Sequence, residues 1–334
     1  MDKLELIKRN TAEILTETEL KDLLKKKKEV SVYWGTMPTG SISIAYFFQM
    51  LKISDFLNAG LKVKILIADL HAALDGVSWE ILESRSEYYK RAIIIILKTI
   101  GVNIKKLEFI KGSDLQLDGK YFDDVLKLSM ISNIHDCKKA ASEVVKMSDN
   151  PRLGNLIYPL MQALDEEYLK VDVQFAGLDQ RKIMVYAREN LPKIGYKQRI
   201  EIMSPMIRGL VGEKMSSSIE ATKIDLLNDE ETIRKKINKA ECTVGNPDNG
   251  IMALLKYLIM IIKEDKKEKF VVERPHNFGE KIEYSNYNEI ERDFMNKKLH
   301  PLDLKNAVAK EIVLLLKHFR DNKELQTLHE KAYG

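Results

Sequence analysis

Five short runs rich in β-branched and aromatic residues, at 30–34, 63–68, 107–110, 171–175 and 199–203, alternate with stretches long enough to be helices. Parallel strands cannot be joined by tight turns. They need crossovers of a dozen or more residues, usually helical, so this spacing predicts a parallel sheet covered by helices. The segments 43–58 and 79–100 supply helical crossovers of that kind. Such sheets bind ligands beyond the carboxyl ends of their strands, where the strand order reverses. Polar segments stand at those ends here: Gly35-Thr36, Asp69-Leu70-His71, Gly177-Leu178-Asp179 and Ser204-Pro205 each follow a predicted strand.

The alternation stops after about residue 224. Helical patterns follow at 224–239, 251–263, 287–295 and 302–319, with a turn at 247–250 and a loop at 274–280. The 334 residues therefore divide into a Rossmann-like α/β domain over 1–224 and a smaller all-helical domain over 225–334. With 45% hydrophobic and 31% charged residues the chain reads as globular and soluble, and a net charge of +4 does not by itself call for nucleic acid. The lysines at 25–28 read as a solvated helix face. The apolar runs 92–97 and 258–262 fall far short of the ~18 residues of a membrane span. Cys137 and Cys242 give no disulfide framework, and with six scattered histidines they show no zinc spacing. The N-terminus is charged and lacks the apolar core of a signal peptide. A cytoplasmic protein without a membrane partner or a protein-held metal is expected.

Two segments suit a nucleotide. In Gly209-Leu210-Val211-Gly212-Glu213-Lys214-Met215-Ser216-Ser217-Ser218, glycines precede one fixed positive charge and three hydroxyls. That composition fits a loop that closes on a polyphosphate, with Lys214 as a point charge and Ser216, Ser217 and Ser218 adding small donors. A solvated Gly/Ser/Lys loop has the same composition. The second segment runs from the strand at 30–34 through Gly35, Thr36 and Gly40 into a helix, with Thr39, Ser41 and Ser43 as candidate caps. A strand, a glycine turn and a helix N-terminus present bare N–H groups to phosphate.

Together these segments resemble the tyrosyl-tRNA synthetases of the eukaryotic and archaeal type, which are class I aminoacyl-tRNA synthetases. Lys214-Met215-Ser216-Ser217-Ser218 matches the family's Lys-Met-Ser loop in full. Ser43-Ile44-Ala45-Tyr46 matches its His-x-Ala-Tyr element except that serine replaces the leading histidine. Further matches, in the family's order, lie at 164–172, 179–182 and 300–306. The resemblance covers nearly the whole chain. It implies activation of L-tyrosine with ATP to tyrosyl-adenylate and transfer to the 3′ end of tRNA(Tyr), by a homodimer, with Mg2+ carried on the ATP.

The same resemblance assigns residues. Tyr33, Tyr158, Gln162, Asp165 and Gln180 match the tyrosine-binding positions. The spacing of Tyr158, Gln162 and Asp165 also sets them on one helical face in an otherwise apolar stretch. Tyr33 and Asp165 would meet the phenol hydroxyl, and the others the α-amino group. Gly35, Thr36, Ser43 and Tyr46 would face the α-phosphate and ribose, Asp179 the ribose hydroxyls, and Lys214 with its serines the β- and γ-phosphates. Phe278, His300 and Asp303 match the positions that read the first anticodon base. His300-Pro301 is also an ordinary helix start, with Asp303 as a favourable first-turn charge. A tryptophan enzyme of the same fold, or a tRNA-binding or signalling paralogue without catalysis, are the competing readings. Tyr33 with Asp165 favours a phenol over an indole, while Ser43 keeps the paralogue in play.

Overall fold

The computed structural model describes all residues except Met1, 146–149, 213–214, 216–218 and 275–278. Its main sheet has six strands: β1 (Glu13–Leu15), β2 (Ser31–Thr36), β3 (Lys62–Ile67), β4 (Leu107–Lys111), β5 (Val173–Gly177) and β6 (Ile200–Ser204). Their order across the sheet is β1-β6-β5-β2-β3-β4. All neighbours are parallel except β1, which runs antiparallel along β6 at one edge. This is the α/β parallel sheet that the alternation predicts. The five anticipated strands form, shifted by one or two residues at their ends. The short edge strand β1 went unpredicted, because three residues carry too little periodicity to stand out.

The chain leaves β2 toward β3 and β4 on one side, and reaches β5 and β6 on the other. The order therefore reverses between β2 and β5, where Val32, Tyr33 and Trp34 pair with Val173, Gln174 and Phe175. The helix Ala45–Asn58 follows β2, and Leu82–Thr99 lies between β3 and β4 behind a single 3-10 turn at Trp79–Ile81. That turn takes the first three residues of the helix expected over 79–100. On the other face the helix Leu153–Tyr168 feeds β5, and Arg181–Asn190 links β5 to β6.

Beyond residue 224 the helices Glu230–Lys239, Tyr287–Met295, Pro301–Arg320 and Lys323–Tyr333 appear, together with a two-stranded antiparallel ribbon of β7 (Phe270–Val272) and β8 (Ile282–Tyr284). The ribbon is an addition to the all-helical expectation. One apolar core runs from Ile7 through the strands to Ala332, so the C-terminal helices share their interior with the helices that cover the sheet. Phe47 on the helix after β2 meets Phe319 edge-on, with ring centroids 5.8 Å apart.

Candidate active site

A cavity of about 330 Å³ opens at the carboxyl ends of β2 and β5, at the point of strand reversal. Tyr33, Gly35 and Thr36 reach it from β2, and Gln174 and Gly177 from β5. The helix Leu153–Tyr168 adds Tyr158, Gln162 and Asp165, as their spacing predicts. Asp179 and Gln180 line it from the 3-10 turn that follows β5. All five predicted tyrosine-site residues thus converge on one cavity, with Gly35, Thr36, Tyr46 and Asp179 beside them.

The polar end of the cavity is buried. Asp165 is 1% exposed, and its Oδ1 accepts from Gln116 Nε2 at 2.8 Å and Tyr121 Oη at 2.9 Å. Burial disfavours the charge and pushes this carboxyl up to about 7, against the pull of those two donors. His71 Nε2 lies 3.9 Å from Asp165 Oδ2, too far for a hydrogen bond. Burial drives the imidazole down to about 4, so it is neutral, and its ring stands edge-on to Tyr158 with centroids 4.7 Å apart. Tyr33 is 1% exposed and its phenol is held far above its ordinary value by burial, so it stays protonated. Gln162 Nε2 donates to Gln180 Oε1 at 3.2 Å, while Gln162 Oε1 is buried with no partner among the described residues. A buried acceptor without a donor costs about 1–3 kcal/mol, which a ligand's N–H or O–H recovers.

The other end of the cavity is built on the turn after β2. Thr36 Oγ1 and Tyr46 Oη are 2.8 Å apart. Tyr46 is wedged edge-on between Trp34 and Tyr89, at centroid distances of 5.9 and 5.8 Å. Arg85 Nη1 donates to Thr39 O at 2.6 Å, while Tyr89 Oη and Tyr333 Oη donate to Gly40 O at 2.6 and 2.8 Å. Ser41 Oγ lies 3.0 Å from His329 Nε2. The last helix of the chain therefore fixes this turn. Ser43 is placed differently from the other predicted residues. It is 5% exposed, does not line the cavity, and its backbone bridges to Asp225. Its Oγ accepts from Ala45 N at a long 3.4 Å; the N-cap of the helix is Ile44, with no side-chain cap bond, and not a hydroxyl residue.

Lys214, Ser216, Ser217, Ser218 and Phe278 lie outside the described residues. His300 is the N-cap of Pro301–Arg320, where its Nδ1 accepts from Leu302 N at 3.2 Å, and Asp303 sits in the first turn. Among the described residues no group of three His, Cys, Asp or Glu is arranged to hold a metal ion, and no helix is long and apolar enough to cross a membrane.

With this geometry in hand, the comparisons with known proteins are decisive. The family of tRNA synthetases class I (W and Y) matches residues 25–317. The chain belongs to that family. It is 47% identical to a cytoplasmic tyrosine–tRNA ligase of Gallus gallus, over 99% of this chain and 63% of that protein. It is 46% identical to the cytoplasmic tyrosine–tRNA ligase of Saccharomyces cerevisiae, over 98% of this chain and 86% of that one. The crystal structure of a tyrosyl-tRNA synthetase complexed with L-tyrosine from Archaeoglobus fulgidus superposes with a TM-score of 0.87 at 36% identity, covering 99% of this chain and 98% of that one. Within the family the chain falls with the tyrosyl-tRNA synthetases of eukaryotic and archaeal type. It spans 63% of the length of the vertebrate relatives it matches.

Reasoning from sequence missed part of the cavity's polar framework. Gln116 and Tyr121, which hold Asp165, come from the segments after β4. Gln174 lies under the cavity beside Tyr33. A glutamine in the middle of a buried strand was a visible signal, since buried polar groups need partners.

Proposed function

We propose that the chain is a tyrosine–tRNA ligase: it joins L-tyrosine to ATP, forms tyrosyl-adenylate and pyrophosphate, and passes the tyrosyl group to the 3′ end of tRNA(Tyr). The observation that carries this reading is the buried polar end of the cavity, where Tyr33 and Asp165 share one pocket with the partnerless Gln162 Oε1. A phenol hydroxyl fits between Tyr33 and Asp165, and an α-ammonium fits against Gln162, Tyr158 and Gln180. A phenol hydroxyl both donates and accepts, whereas an indole offers one N–H donor and no acceptor, so a site with two polar groups at its end suits tyrosine better than tryptophan.

The tyrosine carboxylate is already a nucleophile at neutral pH, so the first step needs no general base. The protein's work is positioning and charge stabilisation. The carboxylate oxygen attacks the α-phosphorus, and the bond to the bridging oxygen of pyrophosphate breaks. Thr36, Gly35 and Tyr46 flank the α-phosphate end of the cavity, Asp179 receives the ribose hydroxyls, and Lys214 with Ser216, Ser217 and Ser218 serves the departing phosphates. Magnesium carried on the ATP would supply neutralising charge at the phosphates.

The tRNA side follows the same logic. Residues 1–224 form the catalytic domain, and residues 225–334 form the anticodon-binding domain, with Phe278, His300 and Asp303 reading the first anticodon base. A splayed base stacks between rings, and a carboxylate accepts from guanine's donors. The homodimer reading rests on the helix Gly119–Ile131, where Phe122, Leu126 and Met130 are 61%, 49% and 85% exposed at i, i+4 and i+8. Such a stripe is large for a monomer surface. The cytoplasm is the proposed compartment, as it is for the named chicken and yeast relatives.

Tyrosine-dependent exchange of labelled pyrophosphate into ATP tests the reading. Exchange that requires tyrosine supports it. Exchange driven equally by tryptophan, or none with either amino acid, overturns it.

A further inference from the structure

A row of polar residues crosses the middle of the sheet where apolar side chains are expected. Tyr33 on β2 pairs with Gln174 on β5, and Gln174 pairs with Glu201 on β6. Glu166, from the helix Leu153–Tyr168, joins them. Tyr33, Gln174, Glu166 and Glu201 are all buried, the two glutamates completely. Burial raises both carboxyls, helped by repulsion from Asp165 at Glu166 and from Glu166 at Glu201, and opposed at each by Arg188 and Arg199. Both carboxyls face the amide of Gln174, Glu166 through Oε1 and Glu201 through Oε2.

That pair acts on Gln174. With its amide oriented to satisfy its neighbours, the nitrogen donates to Glu166 Oε1 at 2.6 Å and Glu201 Oε2 at 3.2 Å. Its oxygen then accepts from Tyr33 Oη at 2.8 Å and Gln162 Nε2 at 3.3 Å. Reversing the amide would set its oxygen against two carboxyls. The consequences reach the cavity. Tyr33 spends its only proton on Gln174, so its remaining lone pair accepts. Gln162 spends its N–H groups on Gln174 and Gln180, which leaves Oε1, buried and partnerless, as an acceptor. Both groups therefore accept, and free tyrosine offers a phenol O–H and three ammonium N–H donors.

We propose that Glu166 and Glu201 are positioning residues, which fix the amide of Gln174 and through it make Tyr33 and Gln162 acceptors for the amino-acid substrate. The inference deepens the tyrosine–tRNA ligase reading and rests on it. Neither glutamate lines the cavity, so the pair acts only through Gln174.

The test is the set E166Q, E201Q and E166Q/E201Q, all close to isosteric. Each single variant keeps one carboxyl that holds the Gln174 nitrogen. It should retain tyrosine affinity within about threefold, since the remaining carboxyl still accepts from the amide nitrogen and keeps its orientation. In the double variant either amide can turn its own N–H toward Gln174, and the orientation is no longer fixed. The tyrosine KM for pyrophosphate exchange, and the tyrosine Kd by calorimetry, should then rise about tenfold or more, one hydrogen bond's worth, with the ATP KM within about twofold. A double variant with the parent's tyrosine Kd overturns the proposal, as does an equal loss for tyrosine and ATP. Absence of exchange in the parent protein would instead sink the ligase reading, while the tyrosine Kd series would still judge the positioning role.

Discussion

Gly177 offers a probe of the nucleotide end of the site that leaves the fold intact. A Cβ placed on Gly177 would stand 2.5 Å from Asp179 Oδ1, where ordinary contact begins at 3.4 Å. The atom in the way is the end of a side chain, so Gly177→Ala displaces the Asp179 carboxylate and not the backbone. The backbone of Gly177 is extended, with φ −72 and ψ 158, a conformation that alanine adopts without strain. Replacing glycine there removes freedom from the unfolded chain and contributes about 0.4–1 kcal/mol of stability. A withdrawal of about 1 Å stretches a hydrogen bond of 2.8 Å well beyond its useful range. If Asp179 binds the ribose hydroxyls, the loss is that of a bond to a charged group, about 1.5–3 kcal/mol. The kcat/KM for ATP in tyrosine-dependent pyrophosphate exchange should therefore fall by roughly ten- to 150-fold. The melting temperature should stay level or rise, and the tyrosine KM should change far less. A stable variant with undiminished kcat/KM for ATP would refute the assignment of Asp179 to the ribose.

Four further outcomes are expected. Asp165→Ala should lower the preference for tyrosine over phenylalanine in pyrophosphate exchange by about tenfold or more, with ATP binding nearly unchanged, because a buried partner of the phenol is gone. Asp165→Asn bears on stability: the folded carboxyl, at about 7, keeps a proton that the unfolded chain gives up near its ordinary 3.8, so Asp165's contribution is lost as pH rises through that window. Urea unfolding should show the Asn variant gaining on the parent between pH 4 and 8, by of order 2–4 kcal/mol; parallel curves would show that Asp165 titrates normally. His300→Ala and Asp303→Ala should each cut the charging of tRNA by roughly tenfold while leaving pyrophosphate exchange intact; equal losses in both assays would make them helix-start residues only. Finally, Met130→Glu should turn a dimer into a monomer at micromolar concentration in sedimentation, since a charge cannot be buried unpaired in an apolar interface; an unchanged dimer would move the contact elsewhere.

The parts of the molecule that were legible in the sequence are those with a period. Five parallel strands and the face of Leu153–Tyr168 that carries Tyr158, Gln162 and Asp165 follow from side-chain repetition, and repetition survives small errors in element ends. The short strands β1, β7 and β8 did not stand out, because three residues hold barely one alternation. Ser43 illustrates another limit. Its position in a motif suggests a place beside the phosphates, and nothing in that motif announces the backbone bridge to Asp225, 182 residues further along.

The polar row beneath the cavity shows how such limits can be narrowed. Tyr33, Gln174 and Glu201 each interrupt an apolar strand, and each interruption by itself looks like a local cost. They become one structure only when the strand order β6-β5-β2 and its register set them side by side. Once the parallel order is assumed, however, a buried glutamine with a tyrosine on one side and a carboxyl on the other has few ways to be satisfied. The amide must give its protons to the carboxyl and its oxygen to the phenol. A polar residue in a buried strand therefore states, before any coordinates, that its lateral neighbours are polar too. It is a constraint on strand register as well as a hint of function, and in this sheet the same three residues serve both.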